Sequence, residues 1–97
     1  MAIRHVVLFN FKPGTDEVSL RQIIDQLNEL PCQIDEIREW SIREDVGQRP
    51  HSSRFALIAD FDTLDAMNRY LTHPAHVRVV EKALPLIGDL AEHDHEI

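Results

Sequence analysis

The stretch Ile3-Arg-His-Val-Val-Leu-Phe-Asn-Phe11 decides the fold, because it alternates like a β-strand while carrying apolar side chains on both faces. One face holds Ile3, His5, Val7, Phe9 and Phe11, and the other holds Arg4, Val6, Leu8 and Asn10. A strand with two apolar faces has to be covered on both sides. We therefore expect helices on one side of the sheet and a second layer on the other.

A helix is predicted directly after this strand. Lys12-Pro13-Gly14 stops the strand, and Thr15, which two acidic residues follow, is expected to cap the helix with its hydroxyl. Apolar side chains then recur at spacings of three and four, as on one buried helical face: Leu20, Ile23, Ile24, Leu27 and Leu30. Pro31 is predicted to end this helix.

Two strands are predicted in the middle of the chain. The first runs from Ile37 to Val46, with Trp40 and Ile42 sharing one face. Residues 47–53 have the composition of a loop. The second strand, from Arg54 to Phe61, alternates most clearly and presents one apolar face: Phe55, Leu57, Ala59 and Phe61.

A broken helix is predicted next. Asp62 and Thr63 cap a helix that runs through Leu71, with three inward residues: Leu64, Met67 and Leu71. His73-Pro74 interrupts it, since the residue before proline avoids the helical region. Pro74 then begins a helix that reaches Pro85, with an apolar stripe of Val77, Val80, Ala83 and Leu84. Leu90 to Ile97 is predicted as a last, polar strand.

This order of elements, β-α-β-β-α-β, predicts a ferredoxin-like α+β fold with a four-stranded antiparallel sheet. We expect it to form one domain over residues 1–97. Helices on one face would leave the other face open, where Val6 and Leu8 lie beside Ala56 and Ile58. Because large exposed apolar patches mark interfaces, a homodimer that closes as an α+β barrel is predicted.

Composition argues against several kinds of partner. The net charge of -7 and the scattered Lys and Arg residues do not suit nucleic-acid binding. No apolar run approaches the roughly 20 residues of a membrane helix, and a strand pattern begins at once, so a cytoplasmic location is expected. The single cysteine, Cys32, is predicted to be inert, buried or half-buried filling.

The residues with chemical potential flank the helix break, in Tyr70-Leu-Thr-His-Pro-Ala-His76. A histidine in a first helical turn is expected to stay neutral and to act as a base, and a tyrosine hydroxyl donates a hydrogen bond. His5 would reach the same space from the first strand. The alternative is that these polar groups only close hydrogen bonds around the break.

A second polar cluster lies near the end of the chain. His93 and His95 share one face of the last strand and would chelate a metal if a third ligand such as His51 came near. The acidic neighbours of the two histidines favour a solvated strand instead.

The chain resembles the stress-responsive A/B barrel (Dabb) family. The resemblance rests on the opening segment from His5 to Gly14, on Trp40 and Asp45-Val46, on Phe55-Ala-Leu-Ile-Ala-Asp-Phe, and above all on the Tyr70–His76 segment. Membership implies a ferredoxin-like, dimeric α+β barrel. The family includes stress-induced plant proteins, many bacterial members of unknown role, and olivetolic acid cyclase, which performs an aldol condensation without a cofactor.

The resemblance also implies candidate site residues. The tyrosine and histidine of the cyclase's catalytic pair fall on Tyr70 and His76, and a further active-site histidine falls on His5. Two other pocket positions differ, since Leu27 stands in place of a tyrosine and Phe55 in place of a histidine. Some plant members bind magnesium through backbone carbonyls, in a region that falls near Pro31, Ile34 and Ile37.

Two functions follow from these features. One is a cofactor-free enzyme, a cyclase, isomerase or lyase that binds a small apolar or carbonyl ligand and uses His76, Tyr70 and His5, with no metal. The other is a non-catalytic protein that serves in stress response or ligand binding.

Overall fold

Four antiparallel strands form one sheet in the computed structural model, which describes residues 1–97. The strands are β1 (Ile3–Phe11), β2 (Ile37–Glu44), β3 (Phe55–Phe61) and β4 (Ile87–Glu96), in the spatial order β2-β3-β1-β4. The helices are α1 (Glu17–Asn28), α2 (Leu30–Gln33), α3 (Leu64–Thr72) and α4 (Pro74–Ala83), and a 3-10 turn follows at Leu84–Leu86. The predicted ferredoxin-like α+β fold is confirmed. No helix combines the length and the apolar character that crossing a membrane requires.

The face of the sheet beneath the helices, here called the covered face, holds the hydrophobic core. The predicted alternation of β1 is confirmed, because Ile3, His5, Val7 and Phe9 are each at most 8% exposed. Opposite them lie the buried side chains of β3, with Val7 facing Leu57 and His5 facing Ala59. The helices close this layer with apolar residues of α1, α3 and α4.

The start and end of the first helix differ from the prediction. Asp16, not Thr15, caps α1, since its carboxylate accepts a hydrogen bond from the Ser19 N–H at 3.1 Å. The Thr15 hydroxyl instead donates to the Lys12 carbonyl at 2.8 Å and closes the preceding turn. Pro31 does not end α1. It lies in the first turn of the short α2, where the backbone N–H groups have no partner within the helix, so that the N–H that proline lacks is not needed.

The inward faces of α3 and α4 are rotated relative to the prediction. In α3 only Met67 of the three predicted residues is buried, together with Ala66 and Tyr70, whereas Leu64 is half exposed. In α4 the predicted Ala83 is buried together with Ala75 and Val79, while Val77 and, just after the helix, Leu84 are exposed. The prediction favoured large aliphatic side chains, but small alanines occupy much of the inward face of these helices.

The last strand begins three residues earlier than predicted. β4 starts at Ile87, and the register shifts between the pairs Asn10–Asp89 and Phe11–Ile87, which leaves Gly88 as the extra residue of a β-bulge. A Cβ at Gly88 would lie 3.3 Å from the Phe11 carbonyl oxygen, so a larger residue would crowd the bulge. The middle strands are slightly shorter than predicted, at Ile37–Glu44 and Phe55–Phe61.

The opposite side of the sheet, here called the open face, carries no helix. Val6 lies between Ile58 of β3 and His93 of β4, and Leu8 lies between Ala56 and Ala91. Leu8 is 41% and Ile58 37% exposed. At one end Arg4 donates two hydrogen bonds to Asp60, at 2.8 and 2.9 Å.

Candidate functional site

The break between α3 and α4 brings two candidate site residues together. His73 has an extended backbone (φ −63°, ψ 135°), and its Nδ1 accepts the Ala75 N–H at 3.1 Å, so that it caps α4. Pro74 begins α4 as predicted. The change of direction leaves the rings of Tyr70 and His76 with their centroids 4.4 Å apart.

His76 is held in one tautomer. Its Nδ1 lies 3.0 Å from the Leu71 carbonyl oxygen, and because a carbonyl only accepts, Nδ1 carries the proton. Nε2 therefore keeps a lone pair. The pKa of His76 is lowered, chiefly by burial, with a smaller contribution from His5. The largest cause of the lowered pKa is therefore burial, whereas the sequence analysis attributed the neutral imidazole to the helix dipole.

Tyr70 is buried among aromatic rings, and only 1% of it is exposed. Its ring lies 5.0 Å from Phe61 and 6.1 Å from Trp40, measured between centroids. No protein group hydrogen-bonds its hydroxyl, and no fully buried side-chain oxygen or nitrogen lacks a partner, so the hydroxyl must reach accessible space. Burial, then the charge of Glu92, raises the pKa of Tyr70, which keeps it a proton donor.

His5 reaches the same space from β1. Its ring packs edge-on against Tyr70 at 6.0 Å, and its Nδ1 donates to Asp94 Oδ1 at 2.5 Å. The carboxylate orients the imidazole so that Nε2 is the free nitrogen. Asp94 was missed from the sequence, where it was interpreted as part of a solvated chain end. The sequence held one indication: Asp94 lies an even number of residues after Leu90 and so shares its face of β4. The strand register that places Asp94 opposite His5 cannot be seen in a single sequence.

These three side chains line one cavity of about 220 Å³ between the sheet and the helices. The lining is otherwise almost entirely apolar and includes Val7, Phe9, Leu57, Val80, Ile87 and Leu90. Leu27 lines the cavity too. It stands where the cyclase of the family has a tyrosine, so this side of the cavity is apolar here. Phe55 does not line the cavity and stacks on Phe9 at 5.5 Å. A cavity lined in this way favours a small-molecule site over a filled core.

The other candidate residues lie apart from this cavity. His93 and His95 are on the open face with their rings 5.2 Å apart, and nowhere are three His, Cys, Asp or Glu side chains grouped to hold a metal. His51 lines a separate, larger and more open pocket beside Leu8, whose lining is mostly polar. Cys32 is exposed, so the prediction of a buried or half-buried filler is wrong.

The carbonyl groups that the resemblance linked to magnesium lie between α1 and β2. The Leu30 carbonyl accepts the Ile34 N–H at 2.9 Å, and the Ile34 carbonyl accepts the Ile37 N–H at 3.4 Å. Of the three residues that the resemblance named, Ile34 therefore already uses its carbonyl in the turn that leads into β2.

A ferredoxin-like domain with a Tyr/His cavity beneath a broken helix defines the class of this protein. It belongs to the stress responsive A/B barrel domain family, whose sequence pattern matches residues 3–97, so the predicted family is confirmed. An uncharacterized protein of Streptomyces coelicolor is 37% identical over 76 residues, which are 76% of this chain and 78% of that protein.

Solved structures share the whole fold. A dimeric ferredoxin-like protein of unknown function from Thermobifida fusca has a TM-score of 0.89 and 28% identity, covering 100% of this chain and 92% of that chain. Hydroxynitrile lyase from Passiflora edulis has a TM-score of 0.91 and 19% identity, covering 99% and 93% respectively. The likeness to the lyase concerns the fold alone. The fold is thus found both in an enzyme and in proteins of unknown function.

Proposed function

We propose that this protein binds a small, mainly apolar carbonyl compound in the cavity and converts it by acid/base chemistry without a cofactor. One observation carries the proposal. The Tyr70 hydroxyl and the Nε2 atoms of His5 and His76 have no hydrogen-bond partner in the protein, and all three residues line the same apolar cavity. Groups that only stabilised the helix break would be paired with one another or with the backbone.

Each residue has a distinct role in this proposal. His76 Nε2 takes a proton either from a carbon next to the carbonyl, so that the C–H electron pair passes to the carbonyl oxygen as an enolate, or from a hydroxyl, whose oxygen keeps the pair as an alkoxide. Tyr70 donates a hydrogen bond to that oxygen, where its raised pKa keeps it protonated. His5, oriented by Asp94, holds or relays a proton on the floor of the cavity. Cyclisation, isomerisation or lactone chemistry fits this scheme.

A homodimer is part of the proposal. The open face presents Val6, Leu8, Ala56 and Ile58, and a second copy with the same patch would cover them by packing sheet against sheet. The Thermobifida relative is dimeric, which supports a dimer of this protein. The function that competes with catalysis is ligand binding alone, in a dimer that serves during stress.

The test compares variants on a panel of small ketones, aldehydes and lactones. His76→Gln and Tyr70→Phe should each lower turnover by about 100-fold or more, the usual range for removing an acid/base group. His51→Gln, which changes an exposed histidine outside the cavity, should leave turnover unchanged. Tyr70→Phe should keep the wild-type Tm, because the lost hydroxyl has no protein partner.

The outcomes separate the competing functions. Full turnover by His76→Gln would show that His76 is not the base. Binding of panel compounds with no turnover by the wild-type protein would favour the non-catalytic alternative. If nothing bound in the cavity, both functions would be wrong.

A further inference from the structure

The cavity has a single carboxylate at its rim. Glu92 lies opposite Val7 in the β1–β4 ladder, which places it on the covered face, and it lines the cavity near Leu84 and Leu90. These three residues are exposed, whereas Tyr70 and His5 at the inner end are buried. A ligand that enters past the rim therefore passes the carboxylate before it reaches the acid/base groups.

No cationic side chain offsets this charge. None of the residues that line the cavity is Lys or Arg. His76 is neutral near pH 7, because its pKa is lowered by burial. His5 forms a pair with Asp94, and that pair is neutral if the imidazole is protonated and negative if it is not.

The first turn of α4 does not form an anion cradle either. Pro74 has no N–H to offer. The Ala75 N–H is taken by His73 Nδ1 at 3.1 Å, and the Val77 N–H by the His73 carbonyl at 2.9 Å. The free N–H groups that bind anions at other helix starts are thus largely occupied here.

We infer that Glu92 is a specificity-determining residue, which makes the cavity select uncharged ligands over carboxylates of the same shape. The inference rests on the proposed function, since it names the substrate class of the same cavity. A carboxylate ligand would have to place its charge beside a second carboxylate, with no cation in the cavity lining to offset the repulsion. Neutral ketones, aldehydes, esters and lactones meet no such repulsion.

The test uses isosteric pairs of a neutral amide and an anionic carboxylate. Octanamide with octanoate, and benzamide with benzoate, are titrated into the protein by calorimetry at low salt. The wild-type protein should bind each amide at least about tenfold more tightly than its carboxylate, and the gap should shrink as salt is added. Glu92→Gln keeps the shape of the side chain and should remove most of the gap by improving carboxylate binding.

The matched control is Glu96→Gln, which removes an equal charge from the same face of β4 at a residue outside the cavity lining. Glu96→Gln should leave the difference in affinity between amide and carboxylate as large as in the wild-type protein. Equal binding of amide and carboxylate by the wild-type protein, or an unchanged gap in Glu92→Gln, would overturn the role of Glu92 while leaving the proposed function standing. Binding of none of the four compounds would contradict the proposed function and this inference with it.

Discussion

On the covered face of β1, Val7 and Phe9 are at most 8% exposed, whereas on the open face Leu8 is 41% exposed and Val6 is half-buried. Both sets belong to one strand and alternate with the same period. The difference arises because α1, α3 and α4 all pack on one side. The chain completes one apolar layer by itself and leaves the other layer, which we propose a second copy covers, without a helix.

The polar groups on the two faces differ in the same way. On the open face Arg4 and Asp60 satisfy each other with two hydrogen bonds. On the covered face Tyr70 and His76 keep a hydroxyl and a ring nitrogen free of protein partners. Paired charges suit a surface that another subunit covers, and unpaired groups suit a ligand site. The comparison thus supports the proposed association through the open face and the proposed ligand site on the covered face.

The largest effect is expected from breaking the covered face. Phe55 is 2% exposed, and Phe55→Ala should lower the free energy of unfolding by about 3–5 kcal/mol, because it leaves a cavity in the core. Urea denaturation measures the change. The control is Val46→Ala at a residue that is 94% exposed, which should stay within about 0.5 kcal/mol of wild type. A loss below 1 kcal/mol at Phe55 would mean that the face is not packed as described.

A change on the open face should act on assembly instead. Ile58→Glu places a charge in the centre of the apolar patch and should raise the dimer dissociation constant by about 30-fold or more. Sedimentation velocity across micromolar concentrations detects the shift to monomer. Val18→Glu, on an exposed residue of α1, should not change it. A wild-type protein that is monomeric at these concentrations would refute the assignment of this face.

The smallest effect concerns the protonation of His76. Its pKa in the folded protein is lowered, so below about pH 6.5 the unfolded chain binds this proton more readily than the folded one. The folded protein therefore keeps its full stability above that pH and loses part of it as the pH falls toward the lowered pKa of His76. When the pH is lowered from about 7.5 to 5.5, the Tm of wild type should fall by roughly 2 °C more than the Tm of His76→Gln. A larger fall in the variant would contradict this assignment.

Much of the fold follows from local pattern. The alternation in β1 and β3 and the proline at the start of α4 were sufficient for the order of elements. The inward faces of α3 and α4 were predicted only in part: Met67 and Ala83 are buried as expected, but small and polar-tipped residues such as Ala66 and Tyr70 are buried where large aliphatic residues were expected. The start of β4 was missed because Gly88 suggests a turn, whereas here it forms a bulge.

The site divides in a similar way. Tyr70 and His76 are six residues apart around a helix break, so the sequence alone was enough to associate them. His5 was assigned to the same site because of the face of β1 that it occupies and because of the family resemblance. Asp94 and Glu92 come from the other end of the chain, and only the β1–β4 register places them beside these residues. Strand register depends on the packing of the whole sheet, and a one-residue slip would send both carboxylates to the open face.

The sequence by itself therefore determined the family, the order of elements and the Tyr/His pair, because these depend on local periodicity and on short motifs. Only the tertiary structure decided that the pair opens into an apolar cavity, that Asp94 orients His5 and that Glu92 stands at the rim. Those features arise from contacts between residues far apart in the chain, which form when the sheet and helices pack together.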